Sequence, residues 1–411
     1  MQLWIYIVRR ILLLFPVIIG VMSITFLLTS ALPVTDRLIS EYGRPPRGDQ
    51  WGYTNPIPCS AINPGEKGEC PNPLVVSDEH ALGLDRPIAV QWAVYIFNSF
   101  TFNWGSVDNY SQATETLDFI AGDKVTQAIG GLLPYTIELA VLSLVIVLAV
   151  SIPLGNLSAV NRNRPIDQVS RVVSFSGFAL PGFLLGGIAA TGLIILITHQ
   201  WGTTIHAPWC HNGENAYFEV FGSWPHPLIC YPQSSQSALG YPLWMPTGTT
   251  TSPTGFPTVD AAVHHQYWLA LDSIIRMLLP ALVIAYGAIA GLLRFVRNSM
   301  LEVMNLDYVR TARAKGVPES VVVRRHAGRN SLNVTVTVLG LTFAFFIGGF
   351  PVIEDIFQLW GVGRLLTFAI EPPLDYGLIF GSTLLFTYLV VFANLIVDVV
   401  YAILDPRVRL G

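Results

Sequence analysis

The sequence predicts an all-α, polytopic membrane protein with six transmembrane helices, cytoplasmic N- and C-termini and two long extracellular loops. Three observations carry that prediction. Charged residues are only 12% of the chain, against about 25% in an ordinary soluble domain. Six apolar runs reach the roughly 20 residues needed to cross a hydrocarbon core: Ile11–Leu32, Leu132–Leu154, Val172–Ile197, Ile274–Val296, Leu332–Ile353 and Leu378–Leu404. Finally, 15 of the 23 Lys and Arg fall in four short stretches, at 9–10, 162–171, 294–329 and 407–409, while 20 of the 27 acids fall in the alternate segments. Basic residues concentrate on the cytoplasmic side of a membrane, so the dense Arg clusters and both termini are expected inside.

The elements follow in order. Residues 1–33 hold an N-terminal segment, with Trp4 and Tyr6 at interfacial depth, and the first span. The run is too long for a signal-peptide core, and Thr29–Pro33 is a poor cleavage site, so it is expected as a retained anchor. Residues 34–131 are expected as an extracellular segment: a Pro-, Gly- and Asn-rich loop followed, over Leu82–Ser106, by an aromatic helix resting on the outer leaflet. Residues 132–200 carry the second and third spans, 201–273 a second extracellular loop, and 274–411 the fourth to sixth spans with a cytoplasmic loop at 297–331.

All four cysteines, Cys59, Cys70, Cys210 and Cys230, fall in the two outer loops, as expected where thiols oxidise. Three pairings are possible. Cys59–Cys70 and Cys210–Cys230, each closing one loop, are favoured. Neither pair has metal-binding CxxC spacing, and no metal site is expected.

Ionisable residues inside spans imply a partner or an aqueous path. Glu138, in the second span, is the main candidate. It either lines a substrate path or serves as a packing or capping carboxylate. The basic residues form no nucleic-acid-binding domain. The dipeptide Gly-Lys does not occur, which removes the phosphate-binding GxxxxGK[ST] loop, and no hydrolase or dinucleotide motif is present. The chain is therefore expected to be non-catalytic, binding no cofactor itself, with any energy supplied by another polypeptide.

The stretch from Glu302 to Asn330 is where such a partner would act. Tyr308–Lys315 reads as a short helix with Asp307 as N-cap and Arg313 and Lys315 complementing the dipole at its end. Gly316 supplies the reversal, Pro318 prevents continuation, and Glu319–His326 begins a second helix.

DYVRTARAKGV, residues 307–317, is similar to the EAA-type cytoplasmic loop of the permeases of dipeptide/oligopeptide ABC importers. The resemblance extends through RRILLLFPVIIGVMSITFLLTSALP at 9–33, LGLDRPIAVQW at 82–92, LPYTIELAVLSLVIVLAVSIPLG at 133–155, GGFPVIEDIFQLWGVGRL at 348–365, DYGLIFG at 375–381 and DPRVRL at 405–410. The first span and terminal DPR look like the first, B-type permease of the pair. The resemblance implies a plasma-membrane subunit forming half of a translocation path, in contact with membrane lipid and with no nucleic acid. Its implied partners are a second permease subunit, two ATP-binding subunits that hold ATP and Mg, and an extracellular substrate-binding protein.

It also implies a coupling helix docking on the ATPase through Asp307, Tyr308, Arg310, Ala312, Arg313, Lys315 and Gly316, with Ala312 small enough for close insertion. The substrate implied is a di- or oligopeptide; similar permeases serve oligosaccharides. A secondary transporter and a membrane receptor or scaffold are the readings from other classes. The chain departs from the family pattern at Gly328–Arg329 and in its long outer loops.

Overall fold

The computed structural model describes residues 3–42, 55–62, 68–108, 123–201, 204–205, 216–217, 254–263, 265, 267–328, 331, 346, 351–357, 359 and 361–404. Contacts divide the chain into two compact units, Met1–Leu133 with Val362–Leu395, and Pro134–Gly361 with Ile396–Gly411.

In the first unit, α1 (Leu3–Ser30) is followed by α2 (Val34–Tyr42), α3 (Pro73–Leu82) and α4 (Ile88–Phe100). Asn72 caps α3 by accepting from the Leu74 N–H at 3.0 Å, and Gly83, at φ +67°, ends it. A two-residue ladder pairs Ile57 with Cys70, and the Cys59–Cys70 disulfide closes it with the two Cα atoms 4.9 Å apart. The loop therefore carries the expected bridge; Cys210 and Cys230 lie outside the described residues.

The aromatic stretch expected on the outer leaflet forms α4, whose residues pack along α1. Trp92 Nε1 donates to Ser23 Oγ at 2.9 Å, and Phe26 and Tyr95 meet with ring centroids 5.6 Å apart. Ile18 and Met22 of α1 form a core with Leu384 and Val391. The latter two belong to α13 (Tyr376–Leu404), which follows α12 (Val362–Ile370). Asp375 starts α13 by accepting from the Leu378 N–H at 2.9 Å, and its other oxygen accepts from the Asp108 N–H at 2.8 Å.

The long helix α5 (Val125–Val160) leads into the second unit, which holds α6 (Pro165–Ala179), α7 (Gly182–Trp201), α8 (Pro257–Val263) and α9 (Tyr267–Val303). At 1.5 Å per residue, α5 and α9 are each about 55 Å long, well beyond the roughly 30 Å hydrocarbon thickness. Their ends continue as helix through residues the hydropathy pattern assigned to loops. Small residues bring α5 and α6 against α9. A Cβ on Gly155 would lie 2.7 Å from Val296, and one on Gly177 would collide with the Ala290 side chain. The Ser176 and Tyr286 hydroxyls hydrogen-bond at 2.5 Å.

Among the described residues, four helices are long and apolar enough to cross a membrane, and up to five if one bent pair is a single span. That pair corrects the third expected span. The run at 172–197 is no continuous rod but α6 and α7, meeting at 101°. Pro181 has no N–H to continue α6, and it biases the preceding Leu180 to extended backbone, found at φ −100° and ψ 116°. The fifth expected span lies mostly outside the described residues.

Candidate functional site

The polar hairpin after α9 is built from two helical pieces, α10 (Asp307–Ala314) and α11 (Glu319–Val321), the latter continuing as a π-helical turn over Val322–Ala327. Its reversal is a Schellman motif: the Gly316 N–H donates to Arg313 O at 2.9 Å and the Val317 N–H to Ala312 O at 3.2 Å. Gly316 stands at φ +74° with open space around it, so backbone conformation alone selects glycine there.

The N-terminal expectation needs correcting. Leu306 occupies the cap position, and Asp307 is the first helical residue, 97% exposed, 3.6 Å from Arg310. Its carboxylate favours the helix through the dipole rather than through a capping hydrogen bond.

Val309, Ala312, Val317 and Val322 pack together inside the hairpin. Ala312 is thus buried within the hairpin, not presented for insertion elsewhere. The outward residues of α10 include Asp307, Tyr308, Arg310, Thr311 and Ala314, and Lys315 at its C-cap is exposed beside them. Asp307, Arg310 or Thr311, and Ala314 follow one helical stripe. Ala314 is the small exposed residue on this stripe. Its outward facing follows from the apolar spacing Val309–Ala312, which points away from position 314. Arg313 closes the hairpin by a fork on Glu319, with Nη2 to Oε1 at 2.6 Å and Nε to Oε2 at 3.1 Å. This fork holds the Glu319 carboxyl below its ordinary pKa and raises that of Arg313.

The base of the hairpin is fixed to the helices. Val323 and Ala327 of the π-turn pack with Met300 and Val303 of α9 and Ala159 of α5. Ser299 Oγ donates to Ser331 O at 3.1 Å. Gly328, part of the departure from the family pattern, has its N–H on Val323 O, and a Cβ there would stand 3.0 Å from that oxygen. Arg329 lies outside the described residues.

A buried ionic clamp lies beside this base. Asp167, fully buried in the first turn of α6, accepts five hydrogen bonds. Arg297 of α9 donates twice, Nε to Oδ1 at 2.6 Å and Nη2 to Oδ2 at 3.1 Å. Ser158 Oγ of α5 donates to Oδ1 at 2.7 Å, the Asn163 N–H to Oδ2 at 2.9 Å and Arg171 Nη2 to Oδ2 at 2.8 Å. One carboxylate thereby ties together the end of α5, the turn after it, α6 and α9.

Glu138 lies on α5 and fastens α8. Its carboxylate accepts from the Thr258 N–H at 2.9 Å and from Thr258 Oγ1 at 3.0 Å, which is the arrangement of a helix-capping carboxylate. Asp260 closes the turn before α8, accepting from Thr254 Oγ1 at 2.6 Å and the Gly255 N–H at 2.9 Å.

Long apolar helices joined by small residues, with an ordered polar hairpin fixed to their ends, define an integral membrane protein. The family described as the inner membrane component of binding-protein-dependent transport systems matches residues 151–410, and the chain belongs to that family, as a multi-pass protein of the cell membrane. It is similar to the oligopeptide transport system permease protein AppB of Bacillus subtilis, 29% identical over 98% of this chain and 99% of that protein. It is also similar to the dipeptide transport system permease protein DppB of Escherichia coli K12, 29% identical over 98% of each. A putative peptide transport system permease protein of Brucella abortus is 33% identical over 80% of this chain and 82% of its own length.

Proposed function

We propose that this chain is a membrane-spanning permease subunit of an ATP-driven importer for dipeptides or oligopeptides, crossing the membrane six times with both termini in the cytoplasm. It forms half of the path with a second permease subunit and receives substrate from an extracellular binding protein. ATP and Mg belong to two partner ATPase subunits. Support for peptides comes from relatives that match nearly the whole chain and are named as peptide permeases.

The observation that carries the coupling role is the hairpin itself. In this reading Asp307, Tyr308, Arg310, Ala314 and Lys315 face the ATPase. Ala312, Arg313 and Gly316 hold the shape of that surface. A partner that rocks the hairpin moves α9 and α5 through Met300, Val303, Ala327 and Ala159, and the Asp167 clamp carries the displacement into α6. Packed elements shift as rigid bodies, so such a lever needs no flexible part.

The test is reconstitution of the chain with its cognate permease, ATPases and binding protein in vesicles. ATP-dependent accumulation of labelled di- or oligopeptides is expected. Accumulation that persists without ATP, or ATP-driven uptake of oligosaccharides but not peptides, overturns the reading.

A further inference from the structure

Beside the clamp, the second unit contains a cavity of about 380 Å³ bounded by α6, α9 and the turn before α6. Its lining includes Arg162, Arg171, Arg294 and Arg297. The only carboxylate these arginines engage among the described residues is Asp167, bound by Arg171 and Arg297. Three positive charges are left over. Arg162 and Arg294 are exposed and form no ion pair with any described residue.

A second, independent observation is Ser174. It lines the same cavity, is only 6% exposed, and its hydroxyl has no hydrogen-bond partner among the described residues. A buried hydroxyl without a partner is unfavourable, and a bound acceptor would relieve it. Further along α6 the lining turns apolar at Phe175 and Phe178, which are 69% and 64% exposed. Cationic groups at one end and bare aromatic surface at the other match a headgroup with acyl chains attached, whereas a free anion would use only the first.

We propose that this cavity binds the phosphodiester headgroup of an anionic phospholipid, with Arg162 and Arg294 as its principal cations, Ser174 as a hydrogen-bond donor, and Phe175 and Phe178 against the acyl chains. Basic pockets between helices at the cytoplasmic side of a membrane bind such headgroups. The inference rests on the chain spanning the membrane and not on its substrate, and the readout is independent of transport.

The experiment is native mass spectrometry of the purified full-length chain, titrated with phosphatidylglycerol or phosphatidylcholine. Phosphatidylglycerol is expected to bind in clear preference. Each basic residue near an anionic headgroup contributes about 1 kcal/mol, so the Arg162→Gln/Arg294→Gln pair is expected to bind phosphatidylglycerol about 30-fold more weakly. The Arg162→Lys/Arg294→Lys pair, which keeps both charges, is expected to retain most of the binding, and this separates charge from folding. Ser174→Leu, which removes the donor and adds apolar bulk to the cavity wall, is expected to weaken phosphatidylglycerol binding. Four results overturn the proposal: equal binding of the two lipids; undiminished binding in the Gln pair; displacement by millimolar inorganic phosphate, which marks a free-anion site; or loss of the lipid when the second permease is co-purified, which marks a protein contact.

Discussion

Replacing Arg297 with Met leaves the Asp167 carboxylate buried with less than its full set of donors, and the structure sets the size of the effect. Arg297 supplies two of the five hydrogen bonds, both charge-assisted, from a side chain only 14% exposed. Breaking a buried ion pair on one side costs about 3–5 kcal/mol. Arg171 stays on Oδ2 from a half-exposed position, so the lower end, about 3 kcal/mol, is expected for Arg297→Met. The penalty comes from the stranded charge. Adding Asp167→Ala to Arg297→Met should therefore cost little more, giving a coupling of about 2 kcal/mol in the double-mutant cycle. Reversible unfolding of the solubilised chain in mixed micelles, followed by circular dichroism, measures all four corners. A loss below about 1 kcal/mol for Arg297→Met, or strict additivity, would refute the argument that this clamp holds α5, α6 and α9 as one piece.

Four further outcomes are expected. Ala314→Trp should abolish peptide-stimulated ATP hydrolysis in the reconstituted importer while leaving the melting curve unchanged, whereas Ala312→Trp should lower stability by about 1–3 kcal/mol through overpacking the hairpin; identical behaviour of the two variants contradicts the assigned facing. Gly177→Leu should disrupt the α6–α9 contact at Ala290 and reduce the yield of folded protein on size-exclusion chromatography. Cys59→Ser should cost about 3 kcal/mol by the chain-entropy estimate for a short loop, read as lowered protection of the segment in hydrogen exchange. The Arg313 fork depresses the Glu319 pKa, so its contribution is present above the unfolded carboxylate's pKa of about 4.3 and fades as pH falls through the lower folded value. Wild type and Glu319→Gln should differ slightly in hairpin amide protection at pH 7 and converge as pH falls through that lower folded value. Both side chains are substantially exposed, which keeps the difference small.

Local chemistry made the hairpin legible before any coordinates. Gly316 and Pro318 mark a reversal whatever the rest of the chain does, and the Schellman bonds fall where those residues put them. What escaped was information held at long range. Nothing in the sequence singled out Asp167, because its partner Arg297 stands 130 positions away. The facing of Ala312 was decided by Val322, on the far side of the turn. At 172–197 average apolarity outweighed a signal already in the sequence: Pro181 breaks the run whatever the hydropathy of its neighbours. Glu138 stood out as an ionisable group within a span, and only the fold brought Thr258 to it.

The buried cluster of Val309, Ala312, Val317 and Val322 has a consequence for how contacts outside the bilayer are made and released. A connector that acquired its shape only on contact would lose conformational entropy at each encounter, and association would be slower and weaker for the same surface. Here that ordering is complete when the chain folds. In the proposed coupling role the face bearing Arg310 and Ala314 is pre-organised, so engagement involves side-chain adjustment alone, and its hydrogen-bonded backbone amides should already be protected from exchange before any partner binds.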